Sequence, residues 1–248
     1  MNRFFVPKED CAGPLVRLTD PDDVHHLIRV LRLRPGEEVM ISDGDGGSFV
    51  TVLEGYDKHN ARLKVVKTLV RRQRDGQRWR LSLAVAVPKN ARFEDMIDKT
   101  TQLGVDEIIP LVTERTLVPA AQVSKKVGRY RRVIKASAKQ SGVLFLPFLR
   151  DPVTFEQLLG LAGGYDMRCL PNLSEATVSL PQALAEIQRG RILVCIGPEG
   201  DFSLQEIQAA FAAGFKGICL GDSVLRVDTA AIAVAAFFRL YGMQGTVS

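Results

Sequence analysis

The chain has 248 residues, 46% hydrophobic and 25% charged, which is globular usage and excludes collagen-like, low-complexity and intrinsically disordered classes. Its length suits one large domain or two modest ones. Net charge is +5, and its distribution is uneven: residues 73–150 hold fifteen Lys/Arg against seven Asp/Glu, residues 151–248 six against ten.

In chain order, Arg3–Val6 opens a strand. The stretch DPDDVHHLIRVLRL predicts a short helix capped by Asp20 or Asp22, with Pro21 early and Val24, Leu27, Ile28 and Leu31 on one face. Strands are expected at Glu38–Ser42, Ser48–Glu54 and Ala61–Leu69, with a Gly/Asp turn at Asp43–Gly47. This spacing suggests a small β-barrel over residues 1–72. Arg71–Arg80 is polar and glycine-bearing, so residues 73–78 are expected to be a linker. From Trp79 the rhythm changes. Leu81–Val87, Glu107–Val112, Asp166–Leu170, Ile192–Ile196 and Gly217–Leu220 are apolar strand-like runs. Helices are expected at Arg92–Leu103, Lys125–Ser141, Leu180–Gln188, Leu204–Ala213 and Thr229–Tyr241. Such alternation predicts an α/β domain over residues 79–248, with a mostly parallel sheet covered on both faces and ligands at the carboxyl ends of its strands.

No acid falls between Glu114 and Asp151, while Lys125, Lys126, Arg129, Arg131, Arg132, Lys135, Lys139 and Arg150 do. Clustered cations of this kind point to a polyanionic partner, the plainer alternative being a solvated basic helix face. The four cysteines (Cys11, Cys169, Cys195, Cys219) form no CxxC pair, and His25, His26 and His59 all lie near the N-terminus, so neither a disulfide framework nor a metal centre is expected. Cys195 and Cys219 fall in apolar runs and are expected to be buried free thiols. No apolar run approaches the roughly 20 residues of a membrane span, and MNRFFVPKED is unlike a signal peptide. A cytoplasmic protein is expected.

Two loops stand out. Ile196-Gly197-Pro198-Glu199-Gly200-Asp201-Phe202-Ser203 follows a strand, and Ser203 with Glu206 forms a capping box that starts the next helix. Gly197 and Gly200 would let the backbone turn sharply and approach a ligand, although a plain strand-to-helix turn has the same composition. The second loop, Leu220 to Ala231, enters an apolar helix, with Asp228 or Thr229 as its expected cap and Arg226 as a charge between apolar neighbours. Neither GxxxxGK[ST] nor GxGxxG is present, which speaks against a nucleotide phosphotransferase.

These loops, GPEGDFS and then LGDSVLRVDTA, resemble those of the bacterial 16S ribosomal RNA (uracil-N3)-methyltransferases of the SPOUT, or trefoil-knot, class. MNRFFVP and HHLIRVLRLRPGEEV resemble that family's N-terminal PUA-like barrel, PKNARFEDMIDKTTQLGVDEIIPLVTERT the opening of its catalytic domain, and KASAKQSG its AxxQS helix end. The resemblance implies a homodimer with a trefoil-knotted, mostly parallel sheet and an N-terminal PUA-like β-barrel, acting on 16S rRNA of the small ribosomal subunit near the decoding centre. It also implies an S-adenosylmethionine site formed by Leu170, Ile196, Gly197, Pro198, Glu199 and Gly200, completed by Leu220, Gly221, Leu225, Arg226, Thr229 and Ala230. Within it, Glu199 is the candidate base and Arg226 the candidate stabiliser of a uracil anion. RNA contacts are expected from Arg3, Arg29 and Arg32 of the barrel and from Lys125, Arg129, Arg132 and Lys139 of the basic helix. The chain departs from the family pattern at Asp201, where a second glycine is usual, and at Val143, where an arginine is usual. Lys139, Gln102 and Asp228 each replace a glutamate. Lys139 or Arg150 is a candidate to replace the missing arginine's charge. The rival readings are a methyltransferase for another rRNA or tRNA site, and a non-catalytic RNA-binding assembly protein with a degraded loop at Asp201.

Overall fold

The structure is a computed structural model that describes residues 2–11, 13–74, 78–89, 92–172 and 177–242. It divides into two compact units, residues 1–76 with 138–146, and residues 77–137 with 147–248.

The first unit contains β1 (Arg3–Phe5), β2 (Leu15–Leu18), α1 (Pro21–His25), β3 (Glu38–Ser42), β4 (Gly47–Tyr56) and β5 (Ala61–Arg71), in the sheet order β1-β3-β4-β5-β2. Apart from the parallel β1–β3 pair, its strands are antiparallel. β1 and β2 are the two end strands, yet Phe4 and Val16 share one core with Leu18, Leu27, Ile41, Leu53 and Leu63. The expected barrel is therefore a sheet curled around its core, with ends that do not pair. Asp20, not Asp22, caps α1, its Oδ1 accepting from the amides of Asp22 at 3.1 Å and Asp23 at 3.4 Å. The helix then continues as a π-helical turn over His26–Val30. β2 was not expected, because four residues are too few for a clear alternation, and Leu15 faces out. In the β3–β4 turn, Asp43 Oδ1 accepts from the amides of Asp45 (2.8 Å) and Gly47 (2.7 Å). Gly46 is held at φ +98°, and a Cβ there would stand 2.1 Å from the Arg72 carbonyl oxygen, so no other residue fits without movement. Residues 138–146 belong to this unit. Lys139 pairs with buried Asp23, and the backbone of Leu144 and Leu146 bonds to Gly46 and Gly44.

The second unit opens with β6 (Trp79–Ala86), α2 (Arg92–Gln102), β7 (Glu107–Val112) and α3 (Ala120–Ser141), the last of which runs on into the residues of the first unit. There follow β8 (Phe148–Leu149), β9 (Val153–Thr154), α4 (Phe155–Leu161), β10 (Met167–Pro171), β11 (Val178–Ser179), α5 (Leu180–Leu184), β12 (Gly190–Ile196), α6 (Leu204–Ala212), β13 (Lys216–Cys219) and α7 (Val227–Tyr241). Every pairing in its sheet is parallel, in the order β11-β13-β10-β12-β6-β7-β8, with β9 also on β7. Residues 81–86 of the central β6 and 192–196 of its neighbour β12 are all buried, which explains their unbroken apolar runs. α7 packs on α2 and β6 through Val227, Ala230, Ala231, Val234 and Phe238.

Three helices depart from expectation. α3 starts five residues early, at Ala120, after Pro119, whose carbonyl accepts from Gln122 and Val123. Its buried seam is Val123, Val127, Tyr130 and Ile134, which leaves Lys125, Lys126, Arg129, Arg131 and Arg132 in solvent. α5 stops at Leu184 rather than Gln188, because the chain tightens into i→i+3 turns there and the Arg78 and Trp79 side chains take the carbonyls of Gln188 and Ile187. α4 was missed, although Thr154 and Gln157 form a capping box visible as T-x-x-Q. The Arg71–Arg80 stretch is mostly not a linker: β5 runs through Arg71, the sheet of the second unit starts at Trp79, and residues 75–77 lie outside the described ones. Cys169 and Cys195 are buried, but Cys219 is only half-buried, since its strand is covered on its outer edge by the two residues of β11.

A polar network crosses the amino-terminal end of this sheet. Glu107, 6% exposed, accepts at Oε2 from Ser82 Oγ (2.6 Å) and the Tyr165 hydroxyl (2.7 Å), and at Oε1 from Arg150 Nε (2.5 Å). Burial pushes its carboxyl up, but the donors and the Arg150 charge outweigh it and hold the pKa below the ordinary 4.5. A carboxylate with a lower pKa folded than unfolded stabilises the fold above the unfolded value, and loses that contribution as pH falls through the folded one. Glu107→Gln should cost on the order of 2 kcal/mol at neutral pH in urea unfolding. The gap to the wild type should close as pH drops below about 4.5; a gap that persists in acid would show that charge is not its source.

Candidate functional site

β10 lies between β12 and β13, and all three run the same way. Cys169 is level with Val194, and Pro171 with Ile218, so the three strands end along one edge. With neighbouring strands about 4.8 Å apart, the loops that leave β12 and β13 start about 10 Å from each other, one on either side of the end of β10. The structure thus gathers the two loops singled out in the sequence onto one edge. Leu170 is fully buried in β10, Ile196 is the buried last residue of β12, and Leu220 and Leu225 are half-buried. The loop after β10 includes residues 173–176, which lie outside the described ones.

The turn after β12 differs from the expected one. Gly197 and Gly200 do not carry its left-handed residue; Asp201 does, at φ +60°. That conformation costs an ordinary L-residue about 1–2 kcal/mol, and aspartate is among the few that visit it. Here Asp201 N–H donates to the Pro198 carbonyl at 2.9 Å, and Asp201 Oδ1 accepts from the Phe202 amide at 2.8 Å. The departure at Asp201 therefore keeps the backbone turn that a glycine would make. Gly197 is needed for another reason: a Cβ there would stand 2.9 Å from the Phe202 ring, which is buried in the core under the loop. Pro198 is buried, while Glu199, Gly200 and Asp201 are exposed.

Two residues missed in the sequence hold this turn from outside. The Arg115 guanidinium, in the turn after β7, donates to the carbonyls of Gly200 (2.7 Å) and Phe202 (3.4 Å), which bracket Asp201. The neighbouring Glu114 amide donates to Glu206 Oε1 at 2.9 Å, and Glu206 Oε2 accepts from the Ser203 amide, closing the expected capping box. Nothing in the spacing of Arg115 announces this, because its partners are backbone carbonyls 85 and 87 residues away.

Beyond β13, Gly221 turns at φ +123° and Cys219 Sγ lies 3.1 Å from its carbonyl oxygen. Residues 221–224 and Arg226 are exposed. The cap of α7 is neither Asp228 nor Thr229 but Arg226, which makes no side-chain bond to the helix. Burial of Val227 on the core draws the helix start forward, so Asp228 falls in the first turn, beside the amides. Thr229 is exposed and Ala230 buried. A loop with Glu199, a helix start with Arg226 and Asp228, and apolar residues at the strand ends can hold a small polar molecule with an apolar ring.

The expected RNA contacts divide between the units. In the first, Arg29 and Arg32 are exposed, Arg32 at φ +53°. Arg3 is half-buried, with its guanidinium on Met40 Sδ at 3.1–3.2 Å, and Lys139 is taken up by Asp23. In the second, Lys125 and Arg132 are exposed, and Arg129 is exposed but paired with Glu94 at 2.8 Å. Lys139 and Arg150 do not replace the charge of the arginine absent at Val143, since each is committed to a buried carboxylate, Asp23 and Glu107. Among the described residues there is no group of three or more His, Cys, Asp or Glu placed to hold a metal ion, and no helix long and apolar enough to cross a membrane.

Residues 75–239 match the RNA methyltransferase domain family, and residues 18–66 the RNA methyltransferase PUA domain family. The ribosomal RNA small subunit methyltransferase E of Synechocystis is 33% identical over 92% of this chain and 74% of its own length. The Mycobacterium tuberculosis protein of that name is 31% identical over 92% of this chain and 87% of its own. Among solved structures, the ribosomal RNA small subunit methyltransferase E from Neisseria gonorrhoeae bound to S-adenosyl methionine is 28% identical, with a TM-score of 0.79 over 97% of this chain and 98% of that one. A Legionella pneumophila protein solved in complex with the cofactor SAM is 29% identical, with a TM-score of 0.83 over 96% and 97%. On the strength of a domain match over more than half of its length and a relative one-third identical along most of it, the chain belongs to the RNA methyltransferase family that includes the ribosomal RNA small subunit methyltransferases E.

Proposed function

We propose that the chain transfers the methyl group of S-adenosylmethionine to N3 of a uridine in 16S rRNA near the decoding centre, acting as a cytoplasmic homodimer. One observation carries the reading: the GPEG turn and the start of α7 leave neighbouring ends of one parallel sheet, in a chain whose relatives are named small-subunit rRNA methyltransferases. The residues present fit the donor. Leu170, Ile196, Leu220 and Leu225 supply apolar surface for an adenine, exposed backbone at Gly200 and Gly221 can approach closely, and Glu199, Asp201, Asp222 and Asp228 suit its positive charges. Pro198, Thr229 and Ala230 complete this site in our reading. A trefoil knot in the second unit is part of the proposal. β13 lies beyond β10 and β12 from β6, yet α7, which starts after a seven-residue loop, packs on β6, so the chain must pass back across both strands. Residues 1–72 are proposed as the PUA-like RNA-binding domain and residues 79–248 as the catalytic one.

S-adenosylmethionine, when bound, supplies an electrophilic methyl group on a sulfonium. Uracil N3 carries a weakly acidic proton, which must leave before the nitrogen lone pair can act. Glu199 is placed to accept that proton, and Arg226 to stabilise the negative charge then spread over N3 and the two carbonyl oxygens. Holding the base in line is expected to supply much of the remaining acceleration. Arg29, Arg32, Lys125, Arg129 and Arg132 remain the proposed phosphate contacts of the RNA, whereas Arg3 and Lys139 are proposed only at the edge of that track, given their partners within the fold.

The deciding measurement is mass spectrometry of nucleosides from 16S rRNA of a strain that lacks the gene, with and without the cloned chain. Loss and restoration of 3-methyluridine at one position is expected. Loss of a different methylated nucleoside would move the target, and no change at all would favour a non-catalytic RNA binder.

Two variants test the site. Arg226→Ala should keep its melting temperature and bind S-adenosylmethionine in calorimetry, yet lose roughly tenfold or more in single-turnover rate; full activity would remove Arg226 from the chemistry. Arg115→Met should leave the chemical step nearly intact but weaken donor binding by about five- to tenfold, with Arg115→Lys partly restoring it. An unchanged dissociation constant would mean that the turn at Asp201 holds without its clamp.

A further inference from the structure

The first unit contains a basic pocket that none of the residues discussed above occupies. It is lined by Lys8, Asp43, Asp45 and residues 71–74, and its volume is about 370 Å³, the space of roughly a dozen waters at about 30 Å³ each. We propose that this pocket seats a backbone phosphodiester of the substrate RNA, a contact that grips the strand without reading its sequence. The inference rests on the RNA substrate proposed above.

Charge accounting within the pocket carries the argument. Four cations, Lys8, Arg71, Arg72 and Arg74, meet two carboxylates. Both carboxylates are already committed. Asp45 pairs with Lys8 at 2.6 Å and with Arg74 at 3.6 Å, and Asp43 Oδ1 holds the β3–β4 turn through two amides. Arg71 and Arg72 form no side-chain ion pair with a described residue. Two exposed guanidiniums on consecutive residues, at the end of β5, are left to face an anion.

The pocket is also held in shape. Arg74 donates to the Leu146 carbonyl at 3.1 Å and lies over the Phe145 ring, 4.8 Å from its centroid. The Arg72 amide donates to the Gly46 carbonyl at 2.9 Å, and Gly47 pairs with Arg71 across the sheet. The glycine requirement at position 46 follows from this packing, because the same Arg72 backbone closes over it. A chain that holds two unpaired cations over a fixed turn has part of the ordering cost of a phosphate site met in advance. Guanidinium favours phosphate because its fork offers two parallel donors, and arginine supplies three of the four cations here.

The test uses the full chain and a double variant, Arg71→Gln with Arg72→Gln, after matched melting curves show that both fold. Binding of a fluorescent stem–loop from 16S rRNA is followed by anisotropy from about 50 to 300 mM salt, beside a scrambled stem–loop of equal length. The variant should bind both RNAs about tenfold or more weakly, and the slope of log K against log salt should fall by about 1.5–2, since each lost phosphate contact removes roughly 0.7–0.9. S-adenosylmethionine affinity should not move. An unchanged RNA affinity and slope would overturn the proposal, and so would a loss confined to the cognate RNA, which would mean sequence readout instead. Inorganic phosphate or AMP bound at micromolar concentration by the wild type, with no RNA effect in the variant, would assign the pocket to a free ligand and overturn it too. A wild type that binds RNA through these arginines yet methylates nothing would leave the pocket standing and remove the methyltransferase reading, so the two can fail separately.

Discussion

Pairing of β10 with β12 on one side and β13 on the other is what sets the geometry of the candidate site. Because all three strands run parallel, each delivers its following loop to the same edge, where backbone groups past the last pair need new partners. A slip of one residue in either pair would turn every side chain of that strand to the other face and shift its loop by about 3.3 Å. The unbroken apolar runs of β10 and β12, buried on both faces, resist such a slip. Core packing thus aligns Glu199, Gly221 and Arg226 without any of them bonding to another.

The second constraint is local strain. Asp201 occupies a conformation that favours glycine, and the surrounding bonds meet that cost: its own carboxylate takes the next amide, and Arg115 binds the carbonyls on either side. A residue that looks like damage to a glycine-rich motif is instead held in the shape that the motif needs. The reading of a degraded loop loses its structural footing there, because the substitution changes the side chain and leaves the turn.

Much of this was legible in the chain itself. The switch from alternating short strands to long apolar runs near Trp79, the capping box at Ser203, and the buried strands Glu107–Val112 and Ile192–Ile196 all follow from periodicity and side-chain chemistry. Two-residue strands such as β8 and β9 are shorter than any pattern, and β2 is scarcely longer. Asp20 was separable from Asp22 as a cap only by backbone angles. The misplaced start of α7 came from weighing side-chain caps over the burial of Val227, and Arg115 stayed hidden because it acts on main-chain atoms far away in sequence. Charge clustering pointed to a basic helix face, which is indeed solvated, but the fate of Lys139 depended on Asp23, 116 residues away, and so on the fold.

The four thiols have a practical consequence. Burial pushes Cys169 to about 12 and Cys195 well above its ordinary value, and Cys11 is raised to about 11, so at neutral pH hardly any of their sulfur is thiolate. Maleimide chemistry on the native chain therefore falls on Cys219, two residues before Gly221. A single fluorophore attached there, with no engineered cysteine, would sit beside the second loop and report its rearrangements in real time.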